Sequence, residues 1–292
     1  MSLIKKLHQS IWQLSSRLGP FAPFIALLIL SLIVLSASRL GLILWKFDRV
    51  MNTGKLAEIL LQGIRVDIMQ FCFIALIPVL LAPLLATKQL FKIWQKFSYA
   101  WVITALVLLV FLEVATPGFI NEYDVRPNRI FVEYLKYPNE VFSMLWRGFK
   151  VDIFAVLISA SLALWLAHRY MKPWLAMQAS WSNKKLWLIW PLMFILIALG
   201  IRSSLGHRPA NPAMFAITAD SMVNSLVLNS GYSVTYATYT LMQETKSSDI
   251  YGKMPREQIF KLTGAKDADI PTLTTLHPSH KREKPLNLVI IL

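Results

Sequence analysis

Charge is scarce in this sequence. Only 16% of its 292 residues are Asp, Glu, Lys or Arg, against about 25% in soluble domains. Cysteine occurs once, as Cys72, which excludes an internal disulfide and a cysteine-based metal cluster. There is no glycine-rich phosphate loop and no Walker pattern. Acids are fewer than bases, 16 against 30, for a formal charge of +14. What is abundant is apolar: 55% of the residues are hydrophobic and the mean hydropathy is +0.51. A soluble globular protein and a mostly disordered chain are both excluded.

Five long runs carry no charge: Phe21–Ser38, Ile68–Ala86, Phe97–Leu112, Ile153–Ala167 and Leu186–Ile201. About 20 apolar residues cross a bilayer core. Several runs are slightly short, so Arg39, Glu113, Asp152 and Arg202 are expected at the interfaces, with the Arg side chains snorkelling to headgroups. Trp45, Trp101, Trp165, Trp187 and Trp190 lie near run ends, as interfacial aromatics do.

Loop charge sets the expected orientation. Lys5, Lys6 and Arg17, then Lys88, Lys92 and Lys96, then Arg169, Lys172, Lys184 and Lys185 all fall on one side, with no acid among those loops. This is the positive-inside pattern. Ten of the fourteen net charges are therefore topological, and the basic balance does not point to nucleic acid. The N-terminus is expected in the cytoplasm and the C-terminus outside. The apolar character that resumes after Arg39 argues against reading the first run as a cleavable signal peptide.

Two segments echo each other. Gly63-Ile64-Arg65-Val66-Asp67-Ile68 opens the second span and Gly148-Phe149-Lys150-Val151-Asp152-Ile153 opens the fourth. Residues two apart do not share a helix face, so cross-pairing becomes possible, Arg65 with Asp152 and Lys150 with Asp67. The four form either an outer polar cluster, holding a lipid headgroup or clamping two hairpins, or independently solvated charges. Between spans three and four, residues 115–148 read as an interfacial loop: Pro117-Gly118 should break the third helix, and aromatics then recur at helical spacing. There Arg126 and Arg129 are candidate phosphate contacts; the other reading pairs them with Glu122, Asp124 or Glu133. No acidic residue is expected deep in a span and no paired broken helices are seen, which argues against a transporter.

The domain reading is a cytoplasmic N-terminus at 1–20, a five-helix membrane domain at 21–205, an outer helical linker at 206–284, and a strand at 285–292. Asp220 to Gln243 reads as one or two helices interrupted near Gly231, and Pro255-Arg256-Glu257 as another helix start. Leu286-Asn287-Leu288-Val289-Ile290-Ile291-Leu292 has the near-continuous apolar character of a strand buried on both faces. Such a strand needs neighbours, so the sequence is expected to be the N-terminal part of a longer protein whose outer α/β domain begins there. His277 and His280 lie in a proline-broken stretch with no third ligand nearby and are expected to be solvated.

The stretch Asp124-Val125-Arg126-Pro127-Asn128-Arg129-Ile130-Phe131-Val132-Glu133-Tyr134-Leu135, with Gly206-His207-Arg208-Pro209, the five spans and the terminal strand, resembles the lipoteichoic acid synthase-like family. The resemblance implies an all-α polytopic membrane domain followed by a helical linker and the first strand of a sulfatase-like domain. It implies phosphoglycerol-type transfer from a lipid such as phosphatidylglycerol, through a threonine nucleophile and a divalent metal, commonly manganese. Those catalytic residues and metal ligands would follow Leu292, so none is assigned here and the 292-residue chain alone is expected to be inactive. A phosphoethanolamine transferase anchor and a non-enzymatic membrane scaffold or regulator are the alternative readings. A periplasm-dependent reporter fused after Leu292 should be active outside the cytoplasm; cytoplasmic activity would overturn the five-span orientation.

Overall fold

The computed structural model describes residues 17–176, 179–244, 252 and 254–263. Among these there are helices and turns but no strand. The terminal strand expected at 285–292 and most of the linker lie outside the described residues.

All five apolar runs are helices long and apolar enough to cross a membrane, and the chain is a multi-pass membrane protein. They are α1 (Ala22–Trp45), α3 (Leu56–Leu85), α4 (Phe91–Tyr123), α7 (Lys150–Ala176) and α8 (Asn183–Arg202). A short helix α2 (Phe47–Met51) joins α1 to α3. Two more, α5 (Arg129–Tyr134) and α6 (Pro138–Gly148), join α4 to α7. After α8 come a 3₁₀ turn, Pro212–Phe215, then α9 (Ser221–Val227) and α10 (Ser230–Gln243). The chain divides into two compact units, Met1–Met242 and Gln243–Leu292, and α11 (Arg256–Thr263) belongs to the second.

The helices exceed the charge-free runs. At 1.5 Å per residue, the 30 residues of α3 and 33 of α4 extend about 45 and 50 Å, well beyond a hydrocarbon core of about 30 Å. Pro117 does not break α4, contrary to the sequence expectation. The helix continues to Tyr123 and ends at Asp124, whose φ of 54° is left-handed and whose N–H donates to Ile120 O at 2.9 Å. Pro78, Pro83 and Pro191 are also internal to helices. In a low-polarity setting a helix is kept through proline, because an open turn would strand more backbone groups than the ring does.

Helices α1, α3 and α4 touch one another and form the centre of the bundle. Helix α7 packs on α4, and α8 on α3. The two outer helices are far less buried than the central three. Their exposed faces, with Val151, Leu157, Ile158, Leu188 and Leu199, are apolar, as a lipid-facing surface must be. Two apolar cores result. One gathers Phe24, Leu27, Cys72, Val79, Trp94, Val102 and Leu186. The other gathers Leu42, Val50, Ile59, Met69, Ile120, Phe215, Met222, Leu226 and Tyr232. The second core is half built by residues beyond the last span. The 3₁₀ turn, α9 and the start of α10 pack on α1, α3 and α4 at the end where α1 finishes and α3 begins.

Candidate functional site

Along each central helix, polar residues separate the two cores: Arg39 on α1, Asp67 and Gln70 on α3, and Glu113 and Thr116 on α4. All five are buried. They converge on the two-residue break, Leu228–Asn229, between α9 and α10.

Arg39 and Asp67 form a fork-to-fork pair, Nη1 to Oδ2 and Nη2 to Oδ1, both 2.7 Å, at 1% and 0% side-chain exposure. The guanidinium also donates to carbonyls. Nε reaches Leu226 O at 3.0 Å, and Nη2 reaches Gly63 O at 3.2 Å and Val227 O at 3.5 Å. Arg39 thus satisfies the last carbonyls of α9 and places positive charge at a helix C-terminus, where the dipole favours it. Asn229 donates to Asp67 Oδ1 at 2.9 Å, and its own Oδ1 accepts from the Tyr232 N–H at 2.8 Å, capping the start of α10.

Glu113 serves the other side of the break. Its Oε1 accepts from the Ser230 N–H at 2.9 Å, which puts a carboxylate at the first turn of α10. Its Oε2 accepts from Arg126 Nη1 at 2.7 Å and from the Ser38 hydroxyl. Arg126 Nη1 also donates to Ser230 Oγ at 3.1 Å, and the hydroxyls of Ser230 and Thr116 share a hydrogen bond of 2.5 Å. Two buried ion pairs therefore hold the two ends of a broken helix. The net charge of the four residues is zero, which suits a site with little water.

Gly63 makes the first pair geometrically available. It lies one turn from Asp67, and a Cβ there would overlap the Arg39 guanidinium. In the echoing segment nothing lies near the corresponding position of Gly148. Gly148 ends α6, Lys150 begins α7, and the break between them gives the second copy a different backbone from the first.

The sequence-derived candidates are distributed as follows. Among the described residues, no hydrogen bond or ion pair joins any two of Arg65, Asp67, Lys150 and Asp152. Asp67 takes Arg39 in place of Lys150. Arg65 Nε donates to Ser203 Oγ at 3.0 Å, its Nη2 to Ser203 O, and its Nη1 to Gln62 Oε1 at 3.1 Å, in place of Asp152. Asp152 lies against Gly118, where a Cβ would sit 3.0 Å from Oδ1. The two cross-pairs fail because one motif is inside a continuous helix and the other straddles a helix start. Arg126 is buried against Glu113, with Nε and Nη2 making no hydrogen bond among the described residues. Arg129 pairs with Glu133 at 2.7 Å, i to i+4 on the half-buried α5.

The sequence placed Arg39 and Glu113 at the interfaces, with Arg39 snorkelling; both instead turn inward and are buried. Sequence reasoning also missed Asn229 and Ser230. The available signal was the Gly63–Asp67 spacing of four, which puts a gap and an acid on one helix face.

A second, more exposed charge knot lies nearby. Arg49 on α2 binds Asp124 through Nη1 and Nη2, both at 2.7 Å, and Asp220 through Nε at 2.5 Å and Nη2 at 2.9 Å. Asp220 also caps α9, accepting from Met222 N at 2.9 Å and Val223 N at 3.1 Å. Hydrogen bonding to Arg49 holds both carboxylates below their ordinary range, and the same bonds raise the Arg49 pKa.

Among the described residues no group of three or more His, Cys, Asp and Glu stands where it could hold a metal. The manganese that the family resemblance implies therefore has no fitting site among them. No family model matches the chain, and no solved structure matches it.

Two sets of outcomes follow from this geometry. Arg39→Met, which leaves Asp67 buried without its cation, should cost about 3–5 kcal/mol, and Gly63→Ala should be destabilising by displacing the same guanidinium. Arg39→Met with Asp67→Leu should recover part of the loss but not all, since Leu226 O and Asn229 lose partners worth about 1–3 kcal/mol if left unpaired. Thermal unfolding in detergent reads this; a double variant no better than the worse single one would show that the pair is not coupled.

For the Arg49 knot, both carboxylates have folded pKa values below the unfolded value of about 3.9. Their contribution is complete above that value and is lost as pH falls through the depressed folded values. Partial exposure limits it to about 1 kcal/mol. The stability difference between wild type and Arg49→Met should be present at pH 7, begin to shrink below about pH 4, and be lost as pH falls through the depressed folded values. A difference unchanged at pH 3 would contradict the assignment.

Proposed function

We propose that this chain is the membrane portion of a lipid-headgroup transferase of the phosphoglycerol type, acting at the outer face of the cytoplasmic membrane. The family resemblance of residues 124–135 and 206–209 supports the chemistry, and the basic loops support a cytoplasmic N-terminus with residues 203–292 outside. Phosphatidylglycerol is the expected donor lipid.

The observation that carries the reading is the anchoring of the segment after the last span. A simple tether would leave residues 210–237 outside the bundle. Instead, Phe215, Met222, Val223, Leu226 and Tyr232 are buried in the second core, and Arg39 and Glu113 hold the helix break. Such anchoring fixes residues 210–237 against the end of the bundle, beside the headgroups that the proposed transferase would act on. Helix α6 adds to this. Its strongly amphipathic sequence leaves Phe142 and Trp146 exposed and stacked, with ring centroids 6.2 Å apart, in the connection between α4 and α7. That is the design of a helix lying in the lipid interface.

The test is an activity measurement. Protein expressed from the natural gene, with whatever follows residue 292 retained, should release diacylglycerol from fluorescent phosphatidylglycerol when manganese is supplied. Residues 1–292 alone should not. Release by the 292-residue chain, or none by the natural product on either phosphatidylglycerol or phosphatidylethanolamine, would overturn the proposal.

A further inference from the structure

Between α3, α4 and α10 lies a crevice of about 240 Å³ that the buried ion pairs do not occupy. Its α4 wall runs from Trp101 to Leu112, twelve residues, or about 16 Å of helix. Ile74 of α3 and Val234 of α10 line the other sides, so the lining is predominantly apolar. The floor is fixed, because the Trp101 indole N–H donates to Ile74 O at 3.1 Å. The mouth is open, since Thr104, Leu108 and Thr235 are exposed. Trp101, Leu108 and Leu112 belong to a helix that crosses the membrane, so this mouth faces lipid. A narrow apolar slot of this length, open to the bilayer, fits one acyl chain.

One lining residue does not suit a hydrocarbon occupant. Gln70 is buried to 6% exposure, and its Oε1 has no hydrogen-bond partner among the described residues. It stands near the Leu109 end of the slot. Gly231 allows α10 to close there, since a Cβ on it would sit 3.0 Å from Gln70 Nε2 and 3.2 Å from Leu109 Cδ2. A buried carbonyl oxygen without a donor is costly, about 1–3 kcal/mol, and what it lacks is a donor. The esters of a glycerolipid only accept, and the hydroxyls of a phosphatidylglycerol headgroup lie beyond a charged phosphate that an apolar slot would have to bury. The free hydroxyl of a neutral acylglycerol donates without that charge.

We propose that this slot binds a neutral acylglycerol of the diacylglycerol class, with one chain between α3, α4 and α10 and its free hydroxyl donating to Gln70 Oε1. Gln70 lies less than one turn from Asp67, so the hydroxyl end sits beside the polar layer and the chain runs toward Trp101. The inference deepens the transferase reading, on which its biological sense rests, because diacylglycerol is what that reaction would leave behind. Binding itself requires no turnover.

The test uses the 292-residue chain in phosphatidylcholine nanodiscs. Three photoactivatable probes carry the same diazirine acyl chain: diacylglycerol, its O-acetylated analogue, and phosphatidylglycerol. Labelled peptides are mapped by mass spectrometry. Diacylglycerol should label α4 and α10 at least about fivefold more than either other probe. Gln70→Leu should lower that labelling about 5- to 10-fold, the loss of one hydrogen bond, while leaving the acetylated probe unchanged. Val234→Phe should block the diacylglycerol signal by filling the slot. Equal labelling by the acetylated analogue, or stronger labelling by phosphatidylglycerol, overturns the proposal, and both are read on the wild-type chain whether or not the variants fold. Intact diacylglycerol labelling with no headgroup transfer by the natural product would sink the transferase reading alone; transfer without slot labelling would sink this one alone.

Discussion

The pairing of Arg39 with Asp67 is the constraint around which the rest of this structure is arranged. Two charges removed from water are costly unless each is matched in geometry and hydrogen bonding. Here the fork matches the carboxylate, and the remaining donors of the guanidinium are turned on backbone carbonyls of α9 and Gly63. The α9 carbonyls are left free by a helix that stops, so the charge and the break need each other. Without the break the guanidinium would lack acceptors; without the guanidinium the last turn of α9 would leave carbonyls unpaired in an apolar core.

Glu113 repeats the logic with opposite sign at the start of α10. A cation at one helix end and an anion at the next make the insertion of residues 210–237 electrostatically self-consistent. The Arg49 knot reinforces it at the rim, tying the end of α4 and the cap of α9 to α2. The more exposed knot is the weaker one. It sets the entry of the segment more than its stability.

This arrangement bears on function through position. Residues 210–237, locked into three spans, take their place from the bundle. The crevice beside the locked segment is a consequence of the same packing, since α10 could not lie against α3 and α4 without the break that Arg39 and Glu113 hold. Anchoring and lipid binding would then be two results of one insertion.

The sequence by itself determined the number of membrane helices, because an uninterrupted apolar run has no other low-energy form in lipid. It determined the start of α11, where Pro255 marks helix entry, and left residues 220–243 as one or two helices interrupted near Gly231; the break falls at Leu228–Asn229. It also showed that Arg129 had an acid within reach, since an i to i+4 pair is a local matter. It could not choose partners for Arg39, Asp67, Glu113 and Arg126. These lie 28 and 13 positions apart within each pair, and the Asn229 and Ser230 contacts that complete them span 162 and 117 positions. Charge near the end of an apolar run reads equally as a snorkelling flank or an inward ion pair. Only the packing of α9 and α10 between the spans, which supplies acceptors and excludes water, turned those side chains inward.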